Sequence, residues 1–478
     1  MAHNLTILQL NDLHGYLEPH AEMVLGPEGR VCVERGGLAR IAAVFAQVRQ
    51  DHPGAVLALD NGDTFHGTFV AVQSQGLALV PLLNALQFDA MTVHWEFAYG
   101  PEGVRRIAAD LDYPILAINC FDKATGALAF SPYRMVERNG LRIAVIGIAC
   151  NIVDKTMPPH FSEGLRFTVG REELPGWIDH VRAAQAADLV VVLSHLGFPQ
   201  DVKLAGAVCG IDVLVSGHTH NRMEHPVVVN GAIIFQSGCH GSFLGRLDIT
   251  VDNRKVVAHR HELIAVDAGF PEDPGMREKV DAVVAPHRAQ LSEVVGHTEV
   301  ALDRYHMLSC PMDDLLLDAI SSAAGTEIAF SNGWRYGAPI PPGPITLNDL
   351  WNIIPTNPQV STVDLTGAEI IEMVEANLER TFASDPFEQM GGYVKRCRGL
   401  RLYVKLENPP GSRIERLFVL EKAVEPERTY KVAFVTAQGV PPKFGQNREK
   451  LAITAIDALR KHLARGPVTP GACTVSAV

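Results

Sequence analysis

The residues of this chain best equipped for chemistry are carboxylates and imidazoles grouped in a few short polar stretches. N-D-L-H-G sets Asp12 and His14 two apart, so both side chains can aim at one ion. L-D-N-G-D-T offers Asp63, whose carboxylate can bridge two ions, and Asp60, which suits the capping of the same turn. S-H-L-G carries His195, S-G-H-T-H carries His218 and His220, and V-H-W-E carries His94. Any one of these is an ordinary loop or core residue; together they form a donor set. Carboxylates and imidazoles without cysteine suit Mn²⁺, Zn²⁺ or Fe²⁺, as two ions ~3.5–4 Å apart if Asp63 bridges them.

Positioning such a set falls to the strands that precede it. LTILQL, AVLALD, DAMTV, YPILAIN, LRIAVIGIA, DLVVVLSH, DVLVSGH and AIIFQSG alternate with helix-like segments such as 37–50 and 77–86. Several are unbroken apolar runs, the pattern of strands buried on both faces. The candidate ligands follow the carboxyl ends of these runs, where open α/β sheets bind their ligands. The rhythm stops at 271–295, a polar helical linker opened by prolines. Beyond it lie a helix over 312–324, a Gly/Pro-rich loop over 332–343, a helix after Thr366-Gly367, and strands LRLYVKL and YKVAFVT. The expected organisation is an α/β domain over 1–270, a linker over 271–295 and a smaller α+β domain over 296–478.

At 478 residues the chain exceeds the size of a single hydrophobic core, and 47% apolar with 20% charged residues is an ordinary globular composition. A formal charge of -12 without any Lys/Arg block excludes a nucleic-acid coat and leaves small anions at a metal site. No window approaches the ~18 apolar residues of a membrane-spanning helix, and the start lacks a secretion signal. These features point to a cytoplasmic protein without a membrane partner. Its eight cysteines, Cys32, Cys120, Cys150, Cys209, Cys239, Cys310, Cys397 and Cys473, form no CxxC pair and are expected to be buried thiols.

In the order D-x-H, G-D, H, G-H-x-H the motifs resemble calcineurin-type metallophosphoesterases, and more narrowly the 5′-nucleotidase family. LNDLHG, DNGDT, SHLG, SGHTH and SFLGRLD carry the likeness in the first domain; SNGWR, PITLNDL and STVDLTG carry it in the second. The resemblance implies a four-layer α/β/β/α sandwich followed by a substrate domain, and two divalent ions, manganese first. One ion would be held by Asp12, His14, Asp63 and His220, the other by Asp63, His195, His218 and one ligand from the stretch at His94. Two Lewis acids lower the pKa of a shared water and yield a hydroxide for in-line attack.

The family pattern G-N-H-[DE] is broken here, where the chain reads V-H-W-E-F-A. Aligned on E-F-x-Y-G, His94 takes the metal-binding Asn position, Trp95 that of the catalytic His, and Ala98 that of the Asp orienting it. In a second alignment His94 is itself the catalytic group. His66 and His240 are further candidates for the lost acid, and Glu96 reads as an anchor of its loop. A subgroup with a similar HWEFxYG segment and a dimanganese site, the thiosulfohydrolases of bacterial sulfur oxidation, resembles the chain at this departure.

On the substrate side, Arg335 matches the family's N-G-x-x-R arginine and suits bidentate capture of phosphate or sulfate oxygens. Trp334, Tyr393 and Arg396 are candidates beside it, and Phe444 falls where the family places a base-stacking aromatic. The expected function is metal-dependent hydrolysis of phosphate esters or anhydrides, with nucleotides as the usual substrates of the family. Cleavage of an S-sulfonate and metal-containing binding without catalysis are the alternatives. The expected partner is a small anionic substrate, and the oligomeric state is left open.

Overall fold

The protein is described by a computed structural model that covers residues 2–469 and 474–478. Two compact units emerge. One comprises the chain up to Glu22 together with Glu34–Pro286, the other Met23–Val33 together with His287–Val478. The excursion of residues 23–33 into the second unit has no counterpart in the hydropathy pattern. Within the stretch 271–295, expected as a linker, lies the helix Pro274–Leu291, and the division between the units falls inside that helix at Pro286. There the missing backbone N–H removes one helical hydrogen bond.

The first unit is built on two sheets. One runs, in spatial order, Lys255–Ala265, Phe243–Asp252, His3–Leu10, Val56–Asp60, Ala90–Met91. The other runs Val227–Val229, Ala232–Phe235, Val213–Ser216, Leu189–Ser194, Leu141–Ile148, Tyr133–Arg138. Leu5, Ile7, Leu57, Leu59 and Leu247 from the first pack against Ile143, Val191, Leu193, Val215 and Phe235 from the second, forming one core between the sheets. Burial of both faces explains the unbroken apolar runs. Helices cover the outer faces: Leu38–Asp51 buries Leu38, Ile41, Phe45 and Val48 at helical spacing, and Phe198–Ala207 packs on the second sheet. This is the expected α/β/β/α sandwich.

Two segments depart from their expected form as strands, and a third from its expected form as a helix. YPILAIN is not a strand, because Pro114 lacks a donor and the run divides its hydrogen bonds among three neighbours. Leu116 N donates to Met91 O, Ala117 N to Ser131 O and Ile118 N to Gly147 O. DAMTV keeps only Ala90–Met91 as a strand before the chain turns into the site. Residues 77–86, expected as one helix, divide into a 3₁₀ turn Leu77–Leu79 and a helix Val80–Ala85.

The second unit has a five-stranded sheet ordered Tyr393–Arg398, Ile328–Gly333, Thr429–Phe434, Gln359–Thr366, Gln446–Thr454. Its core gathers Phe330, Val363, Leu365, Ile370, Leu378 and Val432. The helix Gly367–Phe382 starts on a capping box in which the Thr366 hydroxyl accepts from Glu369 N while the Glu369 carboxylate accepts from Thr366 N. No disulfide joins the described cysteines. Cys120, Cys150, Cys239, Cys310 and Cys397 are buried as expected, but Cys32 and Cys209 are exposed, one on the hairpin strand Gly29–Gly36 and one just past a helix end. Cys473 lies outside the described residues. No described helix is long and apolar enough to cross a membrane.

Candidate dinuclear metal centre

Parallel strands deliver the candidate ligands to one end of the sandwich. His3–Leu10 pairs in parallel with Val56–Asp60, and Leu189–Ser194 pairs in parallel with Val213–Ser216. The chain leaves each strand at its carboxyl end and turns within a few residues. The turns are tight enough that Asp12, His14, Asp63, His218 and His220 all adopt left-handed backbone, with φ of 47°, 50°, 54°, 74° and 57°. Non-glycine residues rarely adopt that region, and five of the candidate donors share it. Gly62, before Asp63, has no alternative: a Cβ there would lie 2.5 Å from Thr92 O.

The side chains gather in two groups. Asp63, His94, His195 and His218 form one; Asp12, His14, Asp63 and His220 form the other; in each, one donor atom per residue lies within 4.8 Å of the rest. Asp63 belongs to both. His94 Nδ1 stands 3.1 Å from Asp63 Oδ1 and 3.2 Å from Oδ2, and His195 Nε2 stands 3.2 Å from Asp63 Oδ2. His14 Nε2 and His220 Nε2 face each other at 3.3 Å.

The donor set suits a pair of divalent ions. Asp12 Oδ1 and His195 Nε2 lie 3.5 Å apart, fully buried, and neither makes a hydrogen bond. Buried polar atoms crowded together without hydrogen bonds fit the donor half of a coordination sphere. Burial pushes the Asp12 carboxyl well above its usual range. Burial also lowers His14 to about 4, which keeps the imidazole in its neutral, ligating form. Burial opposes ionisation of Asp63 too, but the His94 and His195 imidazoles outweigh it and hold the carboxyl well below its usual range.

A framework of buried polar groups fixes the donors. The Asn61 carbonyl is 2.6 Å from His195 Nδ1, which turns Nε2 toward Asp63. Asn61 Nδ2 donates to Ser194 O and Val215 O, tying the ends of two strands. His218 N donates to Asp12 Oδ2. Glu96, fully buried, accepts from Thr64 N, Phe65 N and His94 N, and so anchors the turn that presents His94. Asp60 accepts from Gly62 N and the Thr64 hydroxyl.

Trp95 points to the same place with different chemistry. Its backbone N–H donates to Asp63 Oδ1 at 2.7 Å, and its ring stacks on His66 with centroids 4.9 Å apart and an 18° interplanar angle. His66 in turn offers its carbonyl to His14 Nδ1. Burial pushes His66 down to about 3 and His240 well below the usual imidazole range, so neither is held as a proton donor. A third grouping, His20, Glu22 and His240, differs in kind, because the Arg222 guanidinium already neutralises Glu22 at 2.6 Å.

The second unit corrects several expectations. Arg396, expected to meet substrate, is committed elsewhere: its Nε donates to Asp313, its terminal nitrogens donate to Met307 O and His306 O, and the side chain is buried. Phe444 is packed into the core, not presented as a stacking platform. Trp334 is buried with its ring beside the Arg304 guanidinium. Arg335 and Tyr393 are half-buried and paired, with the guanidinium 5.2 Å from the ring centre and one nitrogen donating to Gly392 O.

Residues 294–437 match the family model described as the 5′-nucleotidase C-terminal domain. Over 91% of its length the chain is 27% identical to the trifunctional nucleotide phosphoesterase YfkN of Bacillus subtilis, and it spans about a third of that protein, 32%. Among solved structures, the sulfate thiohydrolase SoxB of Thermus thermophilus superposes with a TM-score of 0.92 at 26% identity, covering 99% of this chain and 96% of that one. A 5′-nucleotidase precursor, also from Thermus thermophilus, superposes with a TM-score of 0.86 at 26% identity, covering 99% of both chains.

Proposed function

We propose, as the chemistry of a chain similar to 5′-nucleotidases in sequence and in fold, hydrolysis of a phosphate ester or anhydride whose leaving group departs without a proton. The observation that carries this reading is Trp95, an indole stacked on His66 where the family pattern would have an acid. Two divalent ions, manganese by our reading, would supply Lewis acidity and a water of lowered pKa. Asp12, His14, Asp63 and His220 would hold one, and Asp63, His94, His195 and His218 the other. The chain's own part is to keep these donors desolvated and oriented, with His195 turned by the Asn61 carbonyl and the His94 turn anchored by Glu96.

A positioned general acid is worth about 10²–10⁴ in rate, so its loss falls most heavily on alkoxide leaving groups. Anhydrides such as nucleoside diphosphates escape that penalty, and Arg335 is our candidate for their non-reacting oxygens. The same property, with the likeness to the sulfate thiohydrolase, supports a second reading, cleavage of an S-sulfonate. There the oxygen of water bonds to the sulfonyl sulfur, the S–S bond breaks, and a thiolate leaves with the electron pair. A thiol of pKa about 8.5 needs no proton to depart at neutral pH.

The test is a leaving-group series on the manganese-loaded protein: p-nitrophenyl phosphate, a nucleoside diphosphate sugar, AMP and S-sulfocysteine. The expected outcome is a kcat/KM that falls steeply as leaving-group pKa rises, with AMP poorest. AMP hydrolysed as fast as the aryl ester would sink the proposal. Sulfate release outpacing every phosphate selects the second reading, and two bound ions with no turnover select a binding protein.

A further inference from the structure

Behind the two loops that carry His195, His218 and His220 lies a carboxylate in no role so far. Asp201 sits in the first turn of the helix Phe198–Ala207 and is fully buried. Its Oδ1 accepts from the Ser194 hydroxyl at 2.6 Å and its Oδ2 accepts from the Ser216 hydroxyl at 2.6 Å. Ser194 and Ser216 are register partners in adjacent parallel strands and the last residue of each. The next residue after Ser194 is His195; two after Ser216 is His218.

Each serine also passes the constraint forward. Ser194 Oγ accepts from Leu196 N, on the far side of His195. Ser216 Oγ accepts from Gln236 Nε2, which also donates to Gly217 O, the residue before His218. The returning loop closes on the same helix, because Phe198 N donates to the Thr219 hydroxyl between His218 and His220. A single carboxylate thus spans both strand ends at the point where the chain turns into the donor loops. A residue needed only to fill the core would not have to satisfy two hydroxyls from two strands, and an apolar side chain would serve there without desolvation cost.

We propose that Asp201 is a positioning residue that sets the spacing between the His195 loop and the His218–His220 loop, and that retention of the metal pair depends on it. The inference rests on the reading of those histidines as ligands. It predicts a penalty in metal affinity of the size seen when partners that orient ligands are removed, about 10–100-fold.

The experiment measures Mn²⁺ binding by titration calorimetry on metal-free protein, with the electron paramagnetic resonance spectrum of bound Mn²⁺ as a second readout. Four proteins are compared: wild type, His195→Ala, Asp201→Ala and Asp201→Asn. Asp201→Ala is expected to bind about 10–100-fold more weakly and to lose the spectrum of a coupled pair. Asp201→Asn can still accept from one serine and donate to the other, and is expected within about threefold of wild type. A folded Asp201→Ala with wild-type affinity overturns the proposal, as does an Asn variant no better than Ala. If Asp201→Ala does not fold, Ser194→Ala and Ser216→Ala, each removing one strut, are titrated instead; weakened binding supports the proposal and unchanged binding overturns it. The underlying reading fails separately: then wild type binds no Mn²⁺, or His195→Ala binds as well as wild type.

Discussion

Lys395 shows how a single buried side chain can tie stability to pH. It is buried, and its Nζ donates to Gln438 O and Gly439 O across the turn Thr436–Gly439. Burial, helped by the Arg380 charge, pushes its ammonium down from 10.5 to about 7. In the unfolded chain the ordinary value returns, so between pH 7 and 10.5 the unfolded state binds more protons than the folded one. Stability contributed by this group therefore rises with pH through that window, and the burial penalty is fully present below pH 7. Lys395→Met removes the titration and leaves two carbonyls without a donor. Urea midpoints measured from pH 7 to 9 are expected to rise less for the variant than for wild type; equal slopes would refute the assignment. At this scale the clustering of the candidate donors is legible in the sequence, because each follows the end of an apolar run. Arg396 and Phe444 mislead. Arg396 reads as a substrate-side cation in Y-V-K-R-C-R, but its partner Asp313 lies 83 residues away, and no local pattern announces a buried ion pair at that separation. Asp201 escapes notice for a related reason: a lone aspartate in a helix looks solvated until the two serines are seen to face it.

Local segments follow different rules, and two anchors allow a direct comparison. The short turn Trp95–Tyr99 has no extended hydrogen-bond ladder and hangs on Glu96, whose carboxylate takes three backbone N–H groups from Thr64, Phe65 and His94. The helix Gly367–Phe382 starts on a partly exposed capping box at Thr366 and Glu369. Losing a cap costs about 1 kcal/mol, whereas each buried donor left without an acceptor costs about 1–3 kcal/mol. Thr366→Ala should lower stability by about 1 kcal/mol. Glu96→Ala, which strands three donors, should cost at least twice as much and also weaken Mn²⁺ binding through His94. Chemical denaturation of both variants, without metal, checks the order; an equal cost would mean that water or a shifted backbone replaces the Glu96 carboxylate. Glu96 as an anchor is readable from its place two residues after His94, in the turn that follows a strand end. The failed strand at YPILAIN is not, because apolar content reports burial without saying which neighbours receive the backbone hydrogen bonds. There they go to Met91, Ser131 and Gly147 in turn.

For the whole chain, the decisive asymmetry is that all the candidate ligands lie in the first unit, within residues up to 22 and 34–286. A ligand that binds only the folded state stabilises it by about 2.7 kcal/mol at a hundredfold excess over Kd. With a shift of about 2–4 °C per kcal/mol for a unit of this size, Mn²⁺ should raise the melting of the first unit by about 5–10 °C. The second unit has its own core around Phe330, Val363 and Leu378 and holds none of the donors, so the same addition should leave its transition in place. Scanning calorimetry with Mn²⁺ and with chelator tests this directly. The expected record has two transitions, of which only one moves with metal, and in Asp63→Ala, which removes the side chain common to both donor groups, neither moves. A single transition that moves with metal would mean that the two units unfold as one body, and a shift that survives Asp63→Ala would place the bound ions elsewhere in the chain.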